Sequence, residues 1–235
     1  MVLANAVGSG IKTVNHSLML NNLQQHNLNI EMEIVKTEVK LPQLWNLGNH
    51  QDNRLAFILD NVLTESECLE MIKTTEEQGY EEALVNTGFG QQDLRTDVRN
   101  SKRCIIDSVE KAEWIWGRIK DYVPDNWKNK PVLGLNERLR FLKYYPGQYF
   151  KPHFDGSYRR TDGGEQSFVT IQLYLNEGFD GGNTTFMSMS GGDNVGVVPK
   201  IGRVLVFQHD ILHEGSVLEK GTKYTMRTDV MYKVK

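Results

Sequence analysis

Cysteine and proline are scarce in this chain of 235 residues, at two and six. Two cysteines, Cys68 and Cys104, cannot make a disulfide framework, and their scarcity points to a reducing compartment. Long hydrophobic runs are missing too. No stretch approaches the roughly 20 apolar residues that span a bilayer, which excludes a membrane-crossing helix and argues against a membrane partner. The amino terminus lacks the basic-then-apolar layout of a signal peptide, so the expected location is intracellular, in cytoplasm or nucleus. Nor does one sign of charge dominate. Twenty-seven Lys and Arg against 30 Asp and Glu leave a net charge of −3, which excludes a broad electrostatic grip on nucleic acid.

What remains is 39% apolar and long enough to bury the core of one globular domain. Residues 15–29 are crowded with Asn, Gln and His. Such a stretch buries too little surface to offset the entropy of ordering it. Residues 1–50 therefore read as an arm, weakly structured or docked, ahead of a domain at 51–235. Within that arm, 31–41 partly alternates and suggests an edge strand.

A strand is expected at 55–62. Thr64 with Glu67 three residues later is a capping-box signature for a helix ending near Gly79. A second helix begins near Asp107 and Ser108. Its buried face is Val109, Ala112, Ile115, Trp116, Ile119 and Tyr122, and Pro124 closes it. From Arg138 the period changes to two. Strands are expected at 138–145, 167–176, 203–207 and 222–232, with glycine pairs at 163–164, 181–182 and 191–192 between them. The fold class is α+β, mainly β: a sandwich or jelly roll buttressed by N-terminal helices.

Alternation assigns faces. In 167–176, Val169, Ile171, Leu173 and Leu175 share an apolar face opposite Phe168, Thr170, Gln172 and Tyr174. In 222–232, Lys223, Thr225, Arg227 and Asp229 lie opposite Tyr224, Met226, Val230 and Tyr232. The two polar faces read as walls of a cavity.

His153-Phe154-Asp155 supplies what such a cavity could hold. In extended chain, residues i and i+2 point the same way, so an imidazole and a carboxylate can reach one metal ion. His213, sixty residues on, is the candidate third ligand. Two His and one carboxylate on one side of a metal suit non-haem Fe(II) and leave the opposite side open. An isolated H-x-D recurs by chance, so its weight comes from its surroundings.

Three segments occur in order: 144–155 (YYPGQYFKPHFD), 170–186 (TIQLYLNEGFDGGNTTF) and 213–224 (HEGSVLEKGTKY). They contain Tyr-Pro-Gly, H-x-D, a Y-L-N strand, a G-G-x-T-x-F turn, a distal His and a basic residue ten positions beyond it. With this set the chain resembles the iron(II)/2-oxoglutarate-dependent dioxygenases, specifically the prolyl 4-hydroxylase-like branch. The match covers residues 138–232. Arg99-Asn100-Ser101 upstream resembles the family more loosely.

The resemblance implies a double-stranded β-helix, with His153, Asp155 and His213 holding the catalytic iron. It implies Lys223 as partner of the distal carboxylate of 2-oxoglutarate, and Tyr145 and Tyr174 as cosubstrate-pocket tyrosines. The cofactors implied are Fe(II), 2-oxoglutarate and O₂, with ascorbate to keep the iron ferrous. The activity implied is hydroxylation of an unactivated C–H bond. Peptidyl proline in a protein or peptide ranks first as substrate, with a free amino acid or other small molecule as the alternative. A catalytically inactive metal-binding relative serving as an interaction module is a further reading.

Physical chemistry supports these roles. A buried carboxylate requires a cation. Lys223 has the spacing, and a buried Lys223 without cosubstrate would have a depressed pKa. Arg227, four residues along the same face, is the rival and offers a bidentate grip. It could instead pair with Asp229 or meet the iron end of the pocket. Tyr144, in opposite phase to Tyr145, reads as structural. Arg159 and Arg160 sit in the loop leaving the metal dyad, well placed to recognise substrate. Gly181 and Gly182 read as a turn without chemistry.

Overall fold

Local signals set the first helix. The computed structural model describes residues 33–43, 53–88 and 91–235. Strands β1 (Val35–Glu38) and β2 (Ala56–Asp60) precede helix α1 (Glu65–Gln78). Thr64 and Glu67 close the expected capping box: the Thr64 hydroxyl accepts from Glu67 N at 3.3 Å, and the Glu67 carboxylate accepts from Thr64 N at 2.8 Å. Gly79 ends the helix at φ +92°. Strands β3 (Glu81–Glu82), β4 (Val85–Gly88), β5 (Gln91–Asp93) and β6 (Lys102–Asp107) lead to helix α2 (Val109–Ile119), capped by Ser108. Arg118 of α2 grips the Glu67 carboxylate at 2.6 and 2.8 Å, so the residue that caps α1 also ties the helices together.

The remainder is strand: β7 (Val132–Leu135), β8 (Arg138–Tyr144), β9 (Phe150–His153), β10 (Glu165–Tyr174), β11 (Asp180–Gly181), β12 (Thr184–Phe186), β13 (Val195–Val197), β14 (Val204–Gln208), β15 (His213–Gly215), β16 (Leu218–Lys220) and β17 (Lys223–Lys233). The large sheet runs β1-β2-β14-β10-β17-β8-β6-β3, with β7 on the far end of β17. A smaller sheet runs β13-β12-β15-β9. All these pairings are antiparallel.

One face of the large sheet packs on the helices. Val169, Ile171, Leu173 and Leu175 join Phe57, Leu59, Phe141, Val206, Met226 and Val230 against Ile115 and Ile119. Each fully buried large side chain contributes about 1.5–3 kcal/mol. The opposite face meets the small sheet: Tyr174, Leu205 and Phe207 pack with Phe186, Val197 and Ile211. The alternation thus separates a helix-facing layer from a layer between the sheets, and the second contains the site.

Three expectations are corrected. The two helices are interleaved with strands of the large sheet and do not precede the β region. Phe168 does not share a face with Thr170, because a bulge between Ser167 and Val169 turns it onto Trp127 and Tyr232 on the helix side. Val109 is 60% exposed, since the first turn of α2 overhangs the core. The strand anticipated in 31–41 is β1, at the edge of the large sheet. The polar stretch 15–29 lies outside the described residues. Among the described residues no helix is long and apolar enough to cross a membrane.

Candidate active site

Strand pairing brings the two imidazoles together. β9 and β15 are antiparallel neighbours, and His153 stands directly opposite His213. Their ring centroids are 4.3 Å apart. Asp155 follows β9 in extended chain, its N–H donating to His209 O at 3.0 Å. Its Oδ1 is 3.7 Å from His153 Nε2 and its Oδ2 is 3.9 Å from His213 Nε2. Ligand atoms of all three residues lie within 4.8 Å of one another.

Hydrogen bonds orient each donor. His153 Nδ1 lies 2.7 Å from Lys151 O and His213 Nδ1 lies 2.9 Å from Ile211 O. A carbonyl only accepts, so both Nδ1 atoms carry the proton and both Nε2 lone pairs face the cluster. Burial, then the neighbouring His213, pushes the His153 pKa down to about 3, and burial lowers His213 as well. Both rings are therefore neutral and able to ligate. Burial opposes the Asp155 charge, but the Arg227 guanidinium and a hydrogen bond from Thr170 hold its carboxyl well below the usual range. Arg227 Nη2 is 3.1 Å from Asp155 Oδ1, and Thr170 donates to Oδ2 at 2.6 Å. Two neutral imidazoles and one ionised carboxylate facing one point fit a ferrous ion.

Beside the cluster, between the two sheets, lies a partly open cavity of about 50 Å³. Arg140, Leu142 and Tyr144 of β8, Gln172 of β10, and Lys223 and Arg227 of β17 form one wall. Phe150, Thr184 and Glu214 contribute from the other sheet. Lys223 is 2% exposed, and burial alone pulls its pKa down to about 7. Its Nζ donates to Gly182 O and lies 5.0 Å from the Tyr144 ring centre and 5.9 Å from that of Tyr174. No carboxylate of the described residues pairs with it. Two residues along, the buried Thr225 hydroxyl has no hydrogen-bond partner among the described residues. A buried cation in one cavity with a three-ligand cluster fits a dicarboxylate bound at one end by metal and at the other by Lys223.

The remaining expected residues are placed as follows. Arg227 lies at the metal end, shared between Asp155 and Asp229, which is 3.2 Å away. Lys223 and Arg227 thus occupy the same face, and among the described residues Arg227 already pairs with two carboxylates while Lys223 pairs with none. Tyr145 is not on the cavity wall. It is 39% exposed, because the cavity-facing phase of β8 runs through Arg140, Leu142 and Tyr144. Tyr144, read from sequence as structural, takes the position expected for Tyr145. Tyr174 lies one layer behind the wall, donating to Thr184 Oγ1 at 2.8 Å. Neither Arg159 nor Arg160 reaches the cavity. Arg160 is held by Glu137 at 2.5 and 2.6 Å and by Glu165 at 3.2 Å, and Arg159 is exposed, donating to Gly163 O at 3.4 Å. Arg99, Arg140 and Glu214 line the cavity and were not singled out for it. Arg140 was legible as the first residue of the Arg140–Leu142–Tyr144 alternation; Arg99 comes from a loop, where no period applies.

Comparison with known proteins agrees with this geometry. Residues 139–228 match the 2OG-Fe(II) oxygenase superfamily. Among curated relatives, probable prolyl 4-hydroxylase 8 of Arabidopsis thaliana is 26% identical over 201 residues, and prolyl 4-hydroxylase 5 of the same plant is 27% identical over 199. Each alignment covers 72% of this chain and 66% of the relative, so the chain spans just under two thirds of their length. Two solved structures share the fold. The viral collagen prolyl hydroxylase of Paramecium bursaria Chlorella virus-1, in complex with 2-oxoglutarate, superposes with a TM-score of 0.55 at 18% identity, covering 78% of this chain and 98% of that one. A Trichoplax adhaerens prolyl hydroxylase bound to a hypoxia-inducible-factor peptide gives a TM-score of 0.58 at 17% identity, covering 93% of this chain and 94% of that one.

Proposed function

We propose, since residues 139–228 match the 2OG-Fe(II) oxygenase superfamily, that this chain is an Fe(II)- and 2-oxoglutarate-dependent dioxygenase that hydroxylates an unactivated C–H bond. The observation that carries the reading is Lys223: a buried ammonium without a carboxylate partner, in the same cavity as an oriented His-Asp-His cluster. Burying a charge unpaired is costly and persists where a ligand supplies the counter-charge. We read the two sheets that enclose the cavity as the halves of a double-stranded β-helix.

His153, Asp155 and His213 would hold the iron. When bound, the iron and 2-oxoglutarate together supply the oxidising chemistry with O₂. The chain's part is positional. Lys151 O and Ile211 O fix the imidazole tautomers, and Arg227 and Thr170 hold the Asp155 carboxylate in place. Lys223 would receive the distal carboxylate, and Tyr144 would cover it. The apolar layer around Phe186 and Phe207, both fully buried, keeps water from the far side of the cluster.

The names of the plant, viral and animal relatives support peptidyl proline as the first-ranked substrate, with a free amino acid or other small molecule second. The scarcity and burial of Cys68 and Cys104 accord with an intracellular protein. The test is anaerobic titration of metal-free protein with Fe(II) and then 2-oxoglutarate, followed by visible absorption. A charge-transfer band needing both additions, lost in Asp155→Ala and weakened in Lys223→Ala, is the expected result. Iron binding without any such band would overturn the 2-oxoglutarate assignment.

A further inference from the structure

The cavity wall is unevenly charged. Arg99, Arg140, Lys223 and Arg227 line it, against Asp155 and Glu214. Asp229, just behind, lies 3.2 Å from both Arg140 and Arg227. On the reading above, the iron's charge is met by Asp155 and the keto-acid carboxylate, and Lys223 by the distal carboxylate. Arg227 is then shared between Asp155 and Asp229, Arg140 pairs with Asp229, and Arg99 pairs with no carboxylate of the described residues.

Arg99 is the guanidinium left over. Its Nε donates to Ser101 Oγ at 3.0 Å, and its guanidinium carbon lies 4.8 Å from the centre of the Phe150 ring. No carboxylate of the described residues forms an ion pair with it within 4.0 Å. An arginine has five N–H donors, so four have no partner among the described residues. Its position is close to the chemistry. The Phe150 ring that it covers stacks on His153 with centroids 3.6 Å apart, and Arg99 is in electrostatic reach of Asp155 and Arg227. Arg99 is also bridged to Phe150 through the backbone, which fixes its approach to the cluster.

Resting on the proposed oxygenase reading, we propose that Arg99 determines specificity by receiving a carboxylate of the substrate, so that this site acts on an acid. The acid is either a free amino acid or a peptide whose acidic side chain or terminal carboxylate adjoins the oxidised residue. A neutral substrate returns at most single hydrogen bonds to its carbonyl oxygens, whereas a carboxylate replaces the lost water with stronger, charge-assisted, bidentate ones. Arg140, held by a single contact to Asp229, extends the positive wall on which that carboxylate approaches.

The test compares acids with their uncharged isosteres. The probes are the common L-amino acids against their carboxamides, and acetylated, amidated Glu-Pro and Pro-Glu dipeptides against their Gln counterparts. Binding is read by calorimetry on Mn(II)-loaded protein with 2-oxoglutarate, which needs no turnover; succinate release is read in parallel on the Fe(II) enzyme. At least one acid should bind tenfold or more tightly than its isostere, and the winning arm identifies free amino acid or peptide. Arg99→Gln should erase that preference, and Arg99→Lys should restore part of it. Acids and isosteres binding alike, or a preference unchanged in Arg99→Gln, would overturn the proposal. Failure of the oxygenase reading looks different: no iron–2-oxoglutarate band and no succinate with any probe, whatever the acid preference in calorimetry.

Discussion

At the residue scale the cavity is a problem of paired and unpaired charge. Lys223 is buried with its pKa depressed to about 7, so the folded protein releases that proton where the unfolded chain keeps it until near 10.5. Between those values the unfolded state binds more protons, so stability rises with pH, by roughly 1.4 kcal/mol per pH unit. Below about pH 7 both states are protonated and the burial penalty is fully felt. Chemical denaturation of the metal- and cosubstrate-free protein from pH 7 to about 8.5, below the range where the buried Cys68 and Cys104 thiols oppose it, should show this rise, and Lys223→Met should remove it; the same slope in both proteins would show that Lys223 is solvated. Arg227 would act on a bound metal through Asp155. Removing it frees a buried carboxylate that the site needs held, so Arg227→Met should weaken Fe(II) binding about 10–100-fold, with part recovered in Arg227→Lys. Metal titration by calorimetry reads this directly. Much of this chemistry was legible. H-x-D, the distal His and Lys223 sit at spacings that the sequence displays openly. Tyr144 and Arg99 were not legible in their roles, because the phase of β8 against the cavity and the path of the loop before β6 are set by distant pairing.

At the element scale, caps and turns hold the site's frame. Thr64→Ala removes one half of the capping box and should cost about 1 kcal/mol in denaturant unfolding. Glu67→Ala should cost more, because Glu67 caps α1 and pairs with Arg118. The turn at Gly181 and Gly182 carries more than shape. Both glycines have positive φ, and Gly182 O accepts from Lys223. A Cβ at Gly181 would lie 2.5 Å from Val217 O, so Gly181→Ala must shift the β11–β16 pairing. Thermal unfolding should fall and the affinity for 2-oxoglutarate should fall with it; normal cosubstrate binding in this variant would separate the turn from the Lys223 site. The sequence reading of this turn as plain backbone geometry missed its carbonyl, since no side chain announces it.

At the scale of the whole molecule, two of the antiparallel sheets of the described residues enclose the candidate site between them, with helices on the outer face of the larger one. Metal and cosubstrate would draw on both sheets: His153 and His213 from the small one, Lys223 from the large one. Ligands that bind only the assembled state stabilise it, by about 2.7 kcal/mol at one hundred times Kd. Mn(II) with 2-oxoglutarate should therefore raise Tm by roughly 5–10 °C in a chain of this size. Lys223→Ala should retain the metal's part and lose the cosubstrate's, and a chelator should reverse both. A Tm indifferent to both ligands would mean that the cavity does not hold them.

Alternation and ligand spacing are local properties, so the sequence by itself determined six strands of the large sheet (β1, β2, β8, β10, β14 and β17), the apolar face of β10, the capped helices and the three candidate metal ligands. What depends on which strands become neighbours was decided only by the tertiary structure. The bulge that turns Phe168 to the helix side, the exposure of Tyr145 in place of Tyr144, the capture of Arg160 by Glu137, and the meeting of Arg99 with the Phe150–His153 stack all arise from contacts between segments far apart in the chain. A two-residue period tells which side chains share a face, but not which face looks into the cavity. That choice is made when the second sheet closes over the first.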